Sequence, residues 1–136
     1  MRFAVLVHAS AQSEAGTLPT AEQFAEMGRF NEELVKAGIM LAGDGLQPSS
    51  KGVRLRFDSE KPAVIDGPFA ETKELIAGFW IVQGRSKEEI VERFSHAPFD
   101  GGAEIEIRQI YEAADFGDNL PQEVREQEAR LREKTT

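Results

Sequence analysis

The chain has 136 residues, 40% of them hydrophobic and 29% charged, with a formal charge of −8 and no cysteine. That is the size and balance of a single globular domain. The charge argues against a nucleic-acid backbone or an anionic membrane as the main partner. The absence of cysteine excludes disulfide frameworks, thiolate zinc sites, iron–sulfur clusters and thiol nucleophiles.

Phe3 to Val7 form a short apolar run that predicts a buried first strand, with His8 at its end. The run is too short for a signal-peptide core, and no stretch nears the roughly 20 apolar residues that span a bilayer. The chain therefore reads as soluble and cytoplasmic. Residues 9–19 are small and polar and read as a loop. Thr20 and Gln23 have capping-box spacing, which predicts a helix over residues 21–37. Its apolar stripe would hold Phe24, Met27, Phe30 or Asn31, Leu34 and Lys36-Ala37, and Gly38 is suited to stop it.

A second strand is expected over residues 39–42, running into Gly43-Asp44-Gly45. Val53, Leu55 and Phe57 alternate with Arg54 and Arg56, as in a half-buried strand with a basic outer face. Residues 58–61 suit a hairpin loop, and Ala63-Val64-Ile65 would return as its partner. Asp66-Gly67-Pro68-Phe69 turns the chain, and residues 77–82 predict another buried strand. A second capping box, Ser86 and Glu89, opens a helix with Ile90, Val91 and Phe94 on its apolar face. Pro98 bars its continuation. Ile105 and Ile107 alternate with charged residues in a last strand expected to reach Tyr111.

This order predicts an α+β, ferredoxin-like βαββαβ domain with an inserted β-hairpin. Two helices would cover one face of the sheet. The other face stays open, and a second copy of the chain is the simplest cover for it. We divide the chain into a domain over residues 1–113 and a charged C-terminal helical extension over residues 114–136. Pro121 suits the first turn of that helix. Its mixed charges favour an exposed helix, docked weakly or against a partner.

Chemistry has few places to reside. Gly43-Asp44-Gly45 and Asp66-Gly67-Pro68-Phe69 each set a carboxylate beside glycine at a strand end. If the strands are neighbours, Asp44 and Asp66 would line one cleft between sheet and helices, with Lys73 as the positive counterpart. Asp66 would be the base or orienting acid, and Gly67 would permit close approach of a ligand. The competing reading is turn chemistry, with each carboxylate capping a local N–H. His8 is a candidate acid–base partner, while His96 at a helix end suits the helix dipole. Phe69, Trp80 and Tyr111 are candidate ligand contacts, although strand aromatics commonly serve the core or an interface. Serine-nucleophile, phosphate-loop and dinucleotide motifs are missing. No metal-ligand motif stands in the chain, and no cofactor is expected.

Val64-Ile65-Asp66-Gly67-Pro68-Phe69-Ala70-Glu71-Thr72-Lys73-Glu74, followed by Gly78-Phe79-Trp80-Ile81-Val82, resembles the signature of the DGPF-domain proteins of the YCII-related family. Leu41 to Pro48 is similar to a second motif of that group. The resemblance implies a ferredoxin-like fold that pairs through its sheets into a dimeric α+β barrel. It implies binding of a small polar or aromatic molecule and chemistry without a redox cofactor, of lyase, isomerase or hydrolase type. Some YCII-like members act on small cyclic or aromatic compounds, including by dehydrochlorination, with a histidine in the first helix and an aspartate near the end of the second. The matching positions here are Met27 and Ala97, and neither transfers a proton. DGPF proteins are often encoded beside extracytoplasmic-function sigma factors, so the resemblance also allows a non-catalytic, regulatory interaction protein.

Overall fold

The computed structural model of the chain describes residues 1–57 and 60–135. Four strands form one antiparallel sheet: β1 (Arg2–His8), β2 (Met40–Gly45), β5 (Ile76–Gln83) and β6 (Ile105–Gln109), in the spatial order β2-β5-β1-β6. β3 (Val53–Arg56) and β4 (Ala63–Asp66) form a separate two-stranded sheet, inserted between β2 and β5. The helices are α1 (Ala11–Glu14), α2 (Ala21–Lys36), α3 (Lys87–Phe94) and α4 (Gln122–Thr135). No described helix is long and apolar enough to cross a membrane.

α2 begins where the sequence places it. The Thr20 hydroxyl accepts from the Gln23 backbone N–H at 3.1 Å, and the Gln23 side chain accepts from the Thr20 N–H at 2.9 Å. The two side chains thus satisfy two orphan donors of the first turn. At the other end Gly38, at φ +72°, lets the Ile39 N–H turn back to the Leu34 carbonyl at 2.9 Å. α3 is capped on one side only. Ser86 accepts from the Glu89 N–H, but the Glu89 carboxylate takes the N–H and guanidinium of Arg85 instead of completing the box.

The core lies between the sheet and the helix pair α2 and α3. Phe3, Val5, Trp80 and Val82 from the sheet meet Phe30, Leu34, Ile90 and Phe94 from the helices. The Trp80 ring makes edge contacts with Phe94 at 5.1 Å and with Phe30 at 6.2 Å. Its indole N–H donates to Asn31 Oδ1 at 2.9 Å, so the one polar atom of the ring is satisfied inside the core. Gly43 pairs with Trp80 across the sheet, and a Cβ there would lie 2.8 Å from the indole. The glycine makes room for the tryptophan.

Several expectations need correction. Residues 11–14 form a helical turn, closed by reciprocal hydrogen bonds between Ser10 and Ser13. The last strand ends at Gln109, short of Tyr111, whose ring lies against Phe116 at 4.8 Å. Phe24 and Val91 point away from the core and are exposed. The apolar face of β3 is exposed as well, because no other described part of the chain covers Val53, Leu55 or Phe57. β3 and β4 do pair as a hairpin, although Asp58 and Ser59 of the expected loop lie outside the described residues.

Candidate functional site

Side chains alternate across a strand, so each residue of the sheet belongs to one of its two faces. Phe3, Val5, Trp80 and Val82 take the helix side. Ala4, Leu6, Phe79 and Ile81 take the side that neither α2 nor α3 covers. Cross-strand register aligns Asp44 with Phe79, Phe79 with Leu6, and Leu6 with Glu106. One row therefore crosses all four strands with an apolar pair at its centre and a carboxylate at each end. Three strand spacings separate those ends, roughly 14 Å. The next row carries Ile81, Ala4 and Arg108. The face is an apolar floor with an ionisable rim.

His8 stands at the end of β1 on this face. Its Nε2 lies 3.1 Å from a Glu106 carboxylate oxygen, and its Nδ1 lies 3.0 Å from the Lys73 carbonyl and 3.2 Å from Glu104. Acceptors face both ring nitrogens, so only the imidazolium satisfies all of them. The Glu106 carboxylate raises the pKa of His8 above the ordinary imidazole value. Partial burial opposes that shift, and the Lys73 carbonyl and the charge of Glu104 add to it. Glu106 was not singled out from the sequence; the signal for it was its place opposite Leu6 in an alternating strand.

The strands that carry the other candidates are not neighbours: β2 pairs with β5 and β4 with β3, which puts Asp44 and Asp66 in separate sheets. Neither carboxylate caps a local N–H or meets any described partner. Asp66 is exposed at the base of the hairpin, and Lys73 offers its carbonyl to His8 while its ammonium faces solvent. The space between sheet and helices is filled by the core, and Trp80 is part of that filling.

The Asp66-Gly67-Pro68-Phe69 turn is folded onto the chain's own backbone. The Gly67–Pro68 peptide is cis. A Cβ on Gly67 would fall 1.7 Å from the Ser49 carbonyl oxygen, so the close approach that Gly67 permits is that of Ser49. The Ser49 hydroxyl accepts from the Phe69 N–H at 3.1 Å and donates to the Glu14 carboxylate, which also accepts from the Ser49 N–H at 2.9 Å. These bonds hold the Glu14 carboxyl below the usual carboxylate range. The Phe69 ring lies under the Arg54 guanidinium, 3.8 Å from it. α1, the turn after β2 and the DGPF turn are thereby clamped together.

His96 contacts Glu92 at 3.2 Å on the exposed side of α3. A groove of about 810 Å³ lies between α4 and the segment before it, lined by Tyr111, Phe116, Leu120, Arg125 and Arg132. A second groove beside it joins Leu131 of α4 to Arg2 and Leu41 of the sheet. Of the ligand contacts expected from the sequence, Tyr111 lines the first groove; His8, Asp44, Asp66, Gly67, Phe69, Lys73 and Trp80 line neither. Among the described residues, no group of three or more His, Asp or Glu could hold a metal ion.

Comparison with known proteins adds three findings. The sequence model of the YCII-related domain matches residues 1–114. An uncharacterised protein of Rhizobium meliloti (strain 1021) is 29% identical over 95 residues, which is 67% of this chain and 77% of that protein. Among solved structures, 5-chloro-2-hydroxyhydroquinone dehydrochlorinase from Burkholderia phenoliruptrix AC1100, in complex with 2,5-dihydroxybenzoquinone, is similar over 84% of this chain and 98% of its own, at 18% identity and a TM-score of 0.41.

Proposed function

The chain belongs to the YCII-related domain family, and from that premise we propose that it binds a small, flat, polar or aromatic molecule on the open face of its sheet. The observation that carries this reading is the cross-strand row from Asp44 through Phe79 and Leu6 to Glu106. An apolar floor with a few convergent polar groups is the general form of a small-molecule site. Here the floor is two side chains wide, which suits one or two fused rings.

The floor needs a roof. We read the domain as ferredoxin-like and pairing with a second copy, so that two open faces enclose the ligand as a dimeric α+β barrel. Support comes from the apolar side chains Ala4, Leu6, Phe79 and Ile81, which a lone chain leaves only half-buried. Asp44 and the imidazolium of His8 then flank the ligand from opposite edges. The chemistry that such a pair serves is proton transfer without a redox cofactor. Asp44 takes a proton from carbon and His8 returns one, as an isomerase or lyase requires. Glu106 keeps His8 charged and fixed in orientation. Asp66 lies on the hairpin, away from this floor.

An amide NMR titration with monocyclic hydroxybenzoates tests the reading. Shifts are expected at Leu6, Asp44, Phe79 and Glu106, and Asp44→Asn with Phe79→Ala should abolish them without loss of fold. Shifts confined to Tyr111, Phe116 and the α4 groove, or no shifts at all, would overturn it.

A further inference from the structure

The accessible surface of the chain is 10,222 Å². A compact monomer of its 15.1 kDa mass exposes roughly 7,000 Å². The surplus of roughly 3,000 Å² far exceeds the ~800 Å² that each partner gives to an interface of standard size. Part of that surplus is helix α4, exposed along nearly all its length; the sheet floor adds little, because Ala4, Leu6, Phe79 and Ile81 are already half-buried.

The β3–β4 hairpin contributes differently. Val53 is 58% exposed, Leu55 55%, Phe57 75% and Val64 65%. Leu55 pairs with Val64, and Val53, Leu55 and Phe57 alternate along one strand, so the four side chains share one face. A two-stranded ribbon with no packed face is marginal in water. Yet this hairpin is set firmly at its base. The Gly67 N–H bonds to the Gly52 carbonyl at 2.9 Å, the Phe69 N–H bonds to Ser49, and Arg54 on the opposite face is stacked on Phe69. The apolar face is held out in a fixed direction. Residues 51–66 also hold four cations against three acids, in a chain of net charge −8. The acidic surface of another copy is electrostatically favourable to it.

We propose that the β3–β4 hairpin is an intersubunit arm, whose face of Val53, Leu55, Phe57 and Val64 packs on a second copy of this chain. The arm rests on the dimer invoked above and adds to its contact the four exposed side chains of the hairpin face. In a twofold pair both arms are used, one from each chain.

Light scattering and sedimentation of the full chain test this at micromolar concentration. The wild type is expected at twice the chain mass. The double variant Leu55→Asp, Val64→Asp is expected as single chains with unchanged circular dichroism, its dissociation constant raised by about a hundredfold or more. A dimer of unchanged affinity in that variant overturns the arm. Leu6→Asp on the sheet floor separates the two readings. If only Leu6→Asp dissociates the dimer, the arm fails and the enclosed floor stands; if only the hairpin variant does, the reverse holds. A wild type that stays monomeric overturns both. The cysteine-free sequence allows a second readout from Phe57→Cys. Thiol labelling should slow by about tenfold or more as concentration rises through the dimerisation range, given that an interface core excludes solvent. A labelling rate independent of concentration overturns the arm, even if the double variant fails to fold.

Discussion

The two faces of the four-stranded sheet are made by the same strands, often by adjacent residues, and they differ in what they ask of their side chains. On the helix face Phe3, Val5, Trp80 and Val82 are fully or almost fully buried, and the one polar atom of the tryptophan is paired. On the open face the apolar residues are half-buried, and ionisable groups stand around them. Interior packing tolerates few uncompensated groups, so it leaves little room for chemistry. A face left partly open keeps an acid such as Asp44 without a described partner and a histidine with three. The fully buried side chains are concentrated on one side of the pleat and the ionisable groups on the other.

Substitutions should divide in the same way. The largest effect belongs to the helix side: Leu34→Ala empties a fully buried position and should cost about 2–5 kcal/mol in chemical denaturation. Next is the clamp under the hairpin. Gly67→Ala drives a Cβ into the Ser49 carbonyl and should cost roughly 1–3 kcal/mol, with the Phe69 N–H losing exchange protection before the sheet does.

A smaller effect comes from His8 and is read through pH. Its pKa is raised in the fold, so its contribution is complete below the unfolded imidazole value of about 6.5 and is lost as pH rises through the higher folded value. The denaturation midpoint should fall from pH 6.5 upward, and His8→Gln should remove that slope. If His8→Gln keeps the slope, another group owns it. The smallest effects are expected at Asp66→Asn and Lys73→Ala, within about 0.5 kcal/mol of wild type by thermal melting, because their exposed side chains meet no described partner. A large loss in both would make the motif's side chains structural.

The division between faces was only partly legible in the sequence. α2 could be bounded because Thr20, Gln23 and Gly38 act locally. The strands could be placed because apolar runs and alternation are local too. α1 is one turn long, too short for periodicity, and depends on the Glu14 carboxylate reaching Ser49 across 35 residues of chain. The alternation of Val53, Leu55 and Phe57 correctly marked one apolar face but could not say that nothing within the chain would cover it. Phe79-Trp80-Ile81-Val82 is apolar throughout, so the face that takes Trp80 follows from register with β1 and β2 and not from the run itself. His8 and Glu106 are 98 residues apart, and only the antiparallel pairing of β1 with β6 makes them neighbours.

The clamp at Ser49 has a mechanical consequence. From Phe69, tied to Ser49, the backbone runs to Lys73, whose carbonyl holds the His8 ring. Two anchors are thus joined by a tether of few residues, each able to span at most about 3.6 Å. So short a tether has little slack. A tilt of the hairpin that draws Phe69 away from its seat must be taken up by the tether or passed along it to the imidazole. The DGPF segment is, in this sense, a linkage rod: one end set by whatever bears on the hairpin, the other fastened to the ring of His8.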